Sequence, residues 1–161
     1  MKKYMFILAL LSSFSVQAKE YDWTPVFKGW ETGCDTGGIM DLGYNPKLEY
    51  SKYVEKPIRK KEVEKYEGGK SVYVVDTFKV KQGTYYGMPI SEIIIDGYER
   101  SEMSSVSFVI DLPIKSVKDI LKSKNVKFKK VYSDYLSEMK QVMMSPIKND
   151  KNKTLMLCWF G

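Results

Sequence analysis

The chain has 161 residues, of which 43% are apolar and 14% aromatic, and these fractions exclude a disordered or low-complexity chain. Its 26 lysines and arginines exceed its 20 aspartates and glutamates, which gives a net charge of +6. The sequence contains no histidine, which excludes histidine-based catalytic triads and most zinc sites.

The first 18 residues have the order of features found in a secretory signal peptide. Lys2 and Lys3 provide positive charge, residues 4–14 are mostly apolar, and Val16-Gln17-Ala18 places small residues before a cleavage site. The apolar stretch is shorter than the roughly 20 residues that span a bilayer, and no later stretch predicts a transmembrane segment. The sequence therefore predicts cleavage after Ala18 and a mature chain of residues 19–161 that is periplasmic or secreted.

The basic residues of the mature chain limit the kinds of partner that we expect. Cleavage removes Lys2 and Lys3, which leaves 24 basic residues against 20 acidic residues and a net charge of +4. Arg59 and Arg100 are the only arginines. Lysine is a hydrated point charge, whereas the planar fork of arginine suits phosphate and base edges. The sequence therefore does not predict nucleic-acid binding.

The two cysteines of the mature chain, Cys34 and Cys158, predict one disulfide bond, because exported proteins meet an oxidising environment. The bond would connect the N-terminal segment to the last predicted strand. Two free thiols or a shared metal ion are the alternatives. The absence of histidine leaves a metal site without its usual further ligands.

Residues 19–46 contain glycines at short intervals between aromatic residues, which predicts irregular structure or short strands. Residues 47–70 are strongly charged. This charged segment predicts a helix over about 57–66. Proline is favoured in the first turn of a helix, where Pro57 would lie, and Gly68-Gly69 would end it.

Strands dominate the predictions for the following residues. Alternating apolar residues predict strands over residues 71–80 and 103–112. Pro89 separates two further β-rich stretches at 84–88 and 92–96, since proline interrupts the hydrogen-bond ladder of a strand.

The clearest helical pattern covers about residues 113–124, with Pro113 at its start and Asn125 as its stop. Four apolar residues recur at helical spacing on one face: Ile114, Val117, Ile120 and Leu121. Three basic residues lie on the opposite face: Lys115, Lys118 and Lys122.

The remaining residues predict a strand at 126–132, a short helical turn at 133–140, and a closing β-hairpin formed by 142–147 and 154–160. The order of elements predicts an α+β fold. We expect a single disulfide-tied domain over residues 19–161, with a mostly antiparallel sheet, one main amphipathic helix and a C-terminal β-hairpin.

The sequence offers few groups for catalysis, and we expect no catalytic residue, cofactor or metal. Asp35-Thr36-Gly37 matches the triplet of aspartic proteases, but no apolar strand precedes it and it occurs once, so it predicts a turn beside the disulfide. The remaining catalytic hypothesis is a small hydrolase that uses carboxylates such as Glu92, Asp96 or Asp111.

Two sets of residues are candidates for binding a partner. Lys115, Lys118 and Lys122 form a basic helix face, which suits a protein with an acidic surface; a purely solvated face is the alternative. The second set consists of four tyrosines, a residue type that suits interfaces: Tyr44, Tyr50, Tyr53 and Tyr66.

These features favour an exported, non-catalytic protein that binds another protein, such as an inhibitor or immunity protein directed against an envelope-acting enzyme or toxin. One alternative is an envelope assembly or stress factor that binds peptidoglycan, lipid headgroups or an outer-membrane complex. The carboxylate-based hydrolase is the other. The sequence predicts no particular oligomeric state.

Overall fold

The computed structural model describes residues 20–42, 44–67, 69–99, 104–133 and 138–160. The predicted signal peptide lies outside these ranges and stays a prediction. Residues 134–137, half of the helical turn predicted at 133–140, also lie outside them. The described residues at its two ends, Ser133 and 138–140, belong to two antiparallel strands that pair with each other, so the turn was wrong for these residues. The described residues form a mostly antiparallel sheet with one main helix, which confirms the predicted α+β class.

Nine strands and two α-helices are present in the described ranges. The strands are β1 Tyr21–Asp22, β2 Ile58–Tyr66, β3 Gly69–Lys79, β4 Gly83–Tyr85, β5 Met88–Tyr98, β6 Ser104–Ile110, β7 Val131–Ser133, β8 Glu138–Ile147 and β9 Asp150–Phe160. The helices are α1 Trp30–Gly33 and α2 Ile114–Ser123. Two 3-10 helices, Gly37–Asp41 and Glu49–Tyr53, lie between α1 and β2.

Strand β5 organises the sheet because it pairs with three other strands. One of its edges pairs with β6, and its other edge is shared by β3 and β4. The main strand order is β2-β3-β5-β6-β9-β8-β7, and β1 joins through a parallel pairing with β4. Strands that are far apart in the sequence, such as β6 and β9, are therefore direct neighbours.

The helix predicted over about 57–66 was wrong, because these residues form strand β2. The strand pairs antiparallel with β3 along its whole length, from Ile58 opposite Thr77 to Tyr66 opposite Gly69. Gly69 therefore begins a returning strand instead of following a helix. Lysine and glutamate favour helices only weakly, and the hydrogen-bonded pairing with β3 outweighs that local preference.

Helix α2 and the closing hairpin are confirmed. Val117 and Leu121 are buried, and Asn125 has the left-handed conformation expected at the stop, with φ 55°. Strands β8 and β9 pair antiparallel up to Ile147 opposite Asp150, so their connecting turn is shorter than predicted.

The strand predicted at 126–132 is present only as β7, which begins at Val131. The preceding residues make other backbone hydrogen bonds. The Val126 amide donates to the Leu121 carbonyl at 2.9 Å, and the Lys129 amide donates to the Glu31 carbonyl at 3.1 Å. These donors join the segment to helix α2 and to α1, so they are not available for a sheet ladder.

The core lies on one face of the sheet, which we call the inner face. Phe108 of β6 is at its centre, with ring centroids 4.2 Å from Phe27, 5.1 Å from Trp30 and 5.0 Å from Tyr85. All four of these side chains are fully buried. The N-terminal segment therefore covers the inner face through aromatic packing.

The predicted disulfide is confirmed, since the Cα atoms of Cys34 and Cys158 are 5.6 Å apart in a bonded pair. Cys34 follows α1 in a left-handed conformation, with φ 59°. Cys158 lies on β9 and is buried. The bond thus fixes the end of α1 to the middle of the sheet.

Tyr85 is a buried tyrosine whose hydroxyl has no hydrogen-bond partner among the described residues. Burial raises the pKa of this phenol above its ordinary value near 10. The folded state therefore favours the neutral phenol. The resulting stabilisation is complete below pH 10 and is lost as the pH rises above it.

We expect Tyr85→Phe to raise the free energy of unfolding by about 1 kcal/mol at pH 7, because it removes an unpaired buried hydroxyl. By pH 11 this advantage should grow by roughly 1 kcal/mol, since only the wild type then loses stability as the unfolded phenol ionises. Urea unfolding at both pH values measures the difference. A variant less stable than the wild type at pH 7 would show that the hydroxyl has a partner.

Candidate protein-binding surfaces

The first candidate surface is a groove between the C-terminal half of α2, the loop that follows it and strand β8. Its volume is about 250 Å³. Its apolar lining consists of Leu121, Val126, Phe128 and Met144. Its polar lining consists of Lys118, Lys122, Asn125 and Lys127. We call it the lysine groove.

The local sequence explains how the lysine groove forms. Helical spacing places Lys118, Leu121 and Lys122 along one side of α2. The left-handed Asn125 reverses the chain, and the Val126 amide bonds back to the Leu121 carbonyl. Because of this reversal, the residues after the helix run beside its last turn and close the groove.

The charge of the lysine groove has one sign. None of the described residues that line it is acidic. Lys118, Lys122 and Lys127 are exposed, and none of them forms a salt bridge with a described residue. Three ammonium groups around an apolar floor attract a ligand that carries negative charge beside an apolar group.

The structure brings together two of the three predicted helix lysines. Lys118 and Lys122 line the groove, whereas Lys115 is exposed on the helix without lining it. Lys127 completes the rim and was missed as a candidate site residue. The lysine-rich run directly after the helix was its only signal in the sequence, and the chain reversal at Asn125 was needed to place it.

The three predicted tyrosines whose side chains are described, Tyr44, Tyr50 and Tyr53, do not form one exposed surface. Tyr44 is 72% exposed, with the Arg59 guanidinium 6.0 Å from its ring centroid. The side chain of Tyr66 lies outside the described residues. Tyr50 packs beside Trp23 at 5.7 Å, and Tyr53 stacks on the Tyr21 ring at 4.3 Å. Tyr50 and Tyr53 thus contribute to the core boundary, and Tyr44 is the exposed member.

A second, larger pocket of about 430 Å³ lies beside Tyr44 and contains a paired carboxylate. Asp76 is buried, and its two oxygens accept hydrogen bonds of 2.7 and 2.6 Å from Arg59. The bond to Asp76 raises the pKa of the Arg59 guanidinium. This pairing with Arg59 explains why an acidic residue is tolerated among the apolar residues of β3 that face inward. Because both oxygens of Asp76 are bound by Arg59, the carboxylate has a structural role.

Two of the three carboxylates considered for a hydrolase, Asp96 and Asp111, have separate structural partners. Asp96 accepts a hydrogen bond from Ser105 at 2.5 Å, and Asp111 accepts one from Ser91 at 2.7 Å. Glu92 and Asp96 are four residues apart on β5, a separation of about 13 Å. Asp96 and Asp76 both line the larger pocket, but the strand register directs them to opposite faces of the sheet. Neither Glu92 with Asp96 nor Asp76 with Asp96 therefore forms a close carboxylate pair.

The protease-like triplet forms a turn, as the sequence predicted. The Gly37 amide donates to the Asp35 side chain at 2.9 Å, directly after Cys34. Among the described residues, no group of three or more acidic, cysteine or histidine side chains is arranged to hold a metal ion.

The second candidate surface is the face of the sheet opposite the inner face, which we call the open face. The strand register aligns one row of outward side chains across six strands: Ile58, Thr77, Ile94, Ser107, Leu157 and Met143. Residues opposite one another in antiparallel strands share a face, so this row lies on one surface. The adjacent outward positions include three further apolar residues: Val75, Val109 and Leu155.

The two faces of the sheet differ in the contacts that the described residues make. Helix α2, the aromatic N-terminal segment and the disulfide all pack on the inner face. On the open face the side-chain contacts join the strands to each other, as in the Tyr73–Tyr98 ring pair and the hydrogen bond from Tyr98 to Glu64. Ile58 and Met143, at the two ends of the row, are 53% and 41% exposed.

The open face was missed by the sequence predictions, although a signal was present. An antiparallel sheet with one solvated face normally alternates apolar and polar residues. Strand β5 instead contains three consecutive isoleucines at 93–95, and β9 is apolar at every position from 155 to 160. Such continuous apolar strands are typical of sheets that are covered on both faces.

Comparison with known proteins finds no family model that matches the chain, and no significant similarity to a curated protein or to a solved structure. The helices of the described ranges include none with the length and apolar character needed to cross a membrane.

Proposed function

We propose that this chain is an exported, non-catalytic protein that binds an acidic segment of another protein in the lysine groove. The observation that carries the proposal is the combination of an apolar floor with three lysines that pair with no described residue and a described lining without acidic residues. Apolar contact provides affinity, and the lysines provide attraction and orientation.

Three features support a binding role over a catalytic one. The buried carboxylate of Asp76 is neutralised by Arg59, and the carboxylates of Asp96 and Asp111 accept hydrogen bonds from serines. The described residues that line the groove include no carboxylate that could act as a general acid or base. An inhibitor or immunity protein needs only such a binding surface and export, which the signal peptide predicts.

The direct test reverses the groove charge with the triple variant Lys118→Glu, Lys122→Glu and Lys127→Glu. The probe is a fluorescein-labelled peptide of alternating phenylalanine and aspartate residues, followed by fluorescence anisotropy. We expect binding to weaken at least ten-fold, since each of three exposed ion pairs contributes about 0.5 kcal/mol. Raising the salt from 50 to 500 mM should weaken wild-type binding as well.

The matched control is Lys47→Glu, Lys56→Glu and Lys65→Glu. These lysines are exposed, do not line the groove, and give the same change in net charge. In an envelope extract, a specific partner should be captured by the wild type and the control but not by the groove variant. Equal peptide affinity of the two triple variants would contradict the proposal.

A second arm uses vesicles of phosphatidylglycerol, because anionic headgroups share the charge of an acidic peptide. We expect weaker binding to vesicles than to the peptide, since a flat headgroup layer does not fill the apolar floor. Vesicle binding that is tighter than peptide binding and lost in the groove variant would assign the groove to lipid and overturn the proposal.

A further inference from the structure

We infer that the acidic segment bound in the lysine groove is held as an added antiparallel strand, paired with the free edge of β8 over residues 141–147. The inference rests on the proposed function, because it specifies how the partner of that groove is bound. Three observations carry it: an unpaired stretch of strand edge, the direction of its backbone groups, and the position of Met144 in both the edge and the groove.

The free part of the edge of β8 begins where its pairing with β7 ends. Strand β7 pairs only with residues 138–140 of β8, and no described residue pairs with the same edge over residues 141–147. A continuation of β7 toward its N-terminus would cover this stretch, but the Lys129 amide donates to the Glu31 carbonyl at 3.1 Å instead. The segment before β7 is thereby held at α1, and the edge of β8 stays unpaired.

The free edges of β2 and β8 differ in how they are protected. Natural sheets place charged residues on exposed edges, because unpaired backbone groups there attract other strands. Strand β2 follows this rule, with six charged residues among its nine. Residues 141–147 of β8 include no charged residue. The sequence of β8 therefore leaves its edge open to pairing with another strand.

The hydrogen bonds across the sheet show which residues of β8 face the free edge. The Asp111 amide donates to the Pro89 carbonyl at 2.9 Å, so the backbone groups of Ile110 point away from β5 and toward β9. Thr154 of β9 is opposite Ile110 and pairs with it, so its backbone groups point away from β8. Pro146 of β8 is opposite Thr154 and therefore directs its carbonyl to the free edge.

Alternate residues of β8 share the orientation of Pro146. Backbone groups of successive residues point to opposite edges of a strand, so Val142 and Met144 also face the free edge. Together the three residues present two N–H groups and three C=O groups, since proline has no N–H. The backbone of an extended peptide has donors and acceptors at the same spacing, which makes an added strand the partner that matches this edge.

The added strand would place one of its side chains in the lysine groove. Residues opposite one another in paired strands share a face, and Met144 lines the groove on the inner face. The residue opposite Met144 therefore directs its side chain into the groove, whose volume of about 250 Å³ has room for one large apolar side chain. The residues two positions before and after it lie on the same face, where acidic side chains meet the three lysines of the groove.

Charge selects an acidic segment of another protein over a second copy of this chain. Edge-to-edge pairing of two β8 strands would bring two lysine grooves together, and with them six lysines of like charge. An extended segment with carboxylates beside an aromatic residue meets the same lysines with attraction.

Backbone N-methylation of a peptide tests strand addition without changing any side chain. The probe is the fluorescein-labelled peptide Thr-Asp-Thr-Phe-Thr-Asp-Thr, whose phenylalanine and aspartates share one face of a strand. With the phenylalanine opposite Met144, its N–H and those of the aspartates point to β8. N-methylation of the phenylalanine and one aspartate should weaken binding at least about ten-fold in fluorescence anisotropy, because it removes two hydrogen bonds to the edge.

The matched control peptide is N-methylated at the two threonines beside the phenylalanine. These amides point away from β8, so its affinity should stay within about two-fold of that of the unmodified peptide. Equal effects of the two methylation patterns, with binding of the unmodified peptide still lost on reversal of the groove charge, would overturn strand addition and leave the proposed function standing. An unmodified peptide that binds the wild type and the charge-reversed groove variant equally would overturn both.

Amide hydrogen exchange of the disulfide-bonded chain gives a second readout. Saturating peptide should slow the exchange of the Val142 and Met144 amides at least about ten-fold. The Met143 and Ser145 amides point to β9 and should change less, which makes them the internal control. Protection of Val142 and Met144 that appears without peptide and rises with protein concentration would assign the edge to a second copy of the chain and overturn the inference.

Discussion

Replacing both Cys34 and Cys158 with alanine is expected to lower the free energy of unfolding by about 4 kcal/mol. The bond closes a loop with a sequence separation of 124 residues, and cross-links over long loops restrict the unfolded chain most. In the folded state the bond also holds α1 against β9, where Cys34 and Cys158 are both buried. Urea unfolding at neutral pH, followed by tryptophan fluorescence, measures the loss.

The matched control is the wild-type chain after reduction, in which the cysteine side chains remain but the cross-link is absent. We expect its stability to fall by nearly as much as that of the double alanine variant. A large loss in the alanine variant with no loss on reduction would assign the effect to side-chain packing. A loss below about 1 kcal/mol in both would contradict a stabilising role for the bond.

Phe108→Ala should lower the free energy of unfolding by about 3–5 kcal/mol, the range for truncation of a buried aromatic residue. Phe108 is fully buried, and its ring packs against Phe27, Trp30 and Tyr85. Its removal would leave a cavity between the sheet and the N-terminal segment. Equilibrium urea unfolding gives the stability, and near-UV circular dichroism reports the packing of the remaining aromatic rings.

Phe108→Leu is the control, because it keeps most of the apolar volume and should cost no more than about 1.5 kcal/mol. The difference between the two variants isolates the aromatic volume at the centre of the inner face. A loss below about 1 kcal/mol for Phe108→Ala would show that the N-terminal segment does not depend on this contact.

Local patterns in the sequence determined the elements that form over short stretches of chain. The apolar stripe of α2 and the lysines that flank it follow from helical spacing alone, and Asn125 adopts the predicted left-handed stop. The closing hairpin follows from two adjacent apolar runs. The disulfide follows from the presence of just two cysteines.

Only the tertiary structure decided the elements that depend on distant partners. Residues 58–66 form a strand because β3 offers hydrogen bonds along their whole length, and Asp76 is tolerated inside because Arg59 of that strand reaches it. The residues after Asn125 remain outside the sheet because their amides bond to α2 and α1. Local periodicity contains no information about such partners.

For both candidate surfaces, the sequence likewise determined one part and the tertiary structure decided the rest. The sequence predicted a basic helix face, but the apolar floor of the lysine groove needed Met144 from a strand that follows later in the chain. The open face needed the register of six strands, which aligns Ile58 with Met143 across the whole sheet. A strand's own sequence limits which residues share a face, whereas its pairing decides which residues of other strands lie beside them.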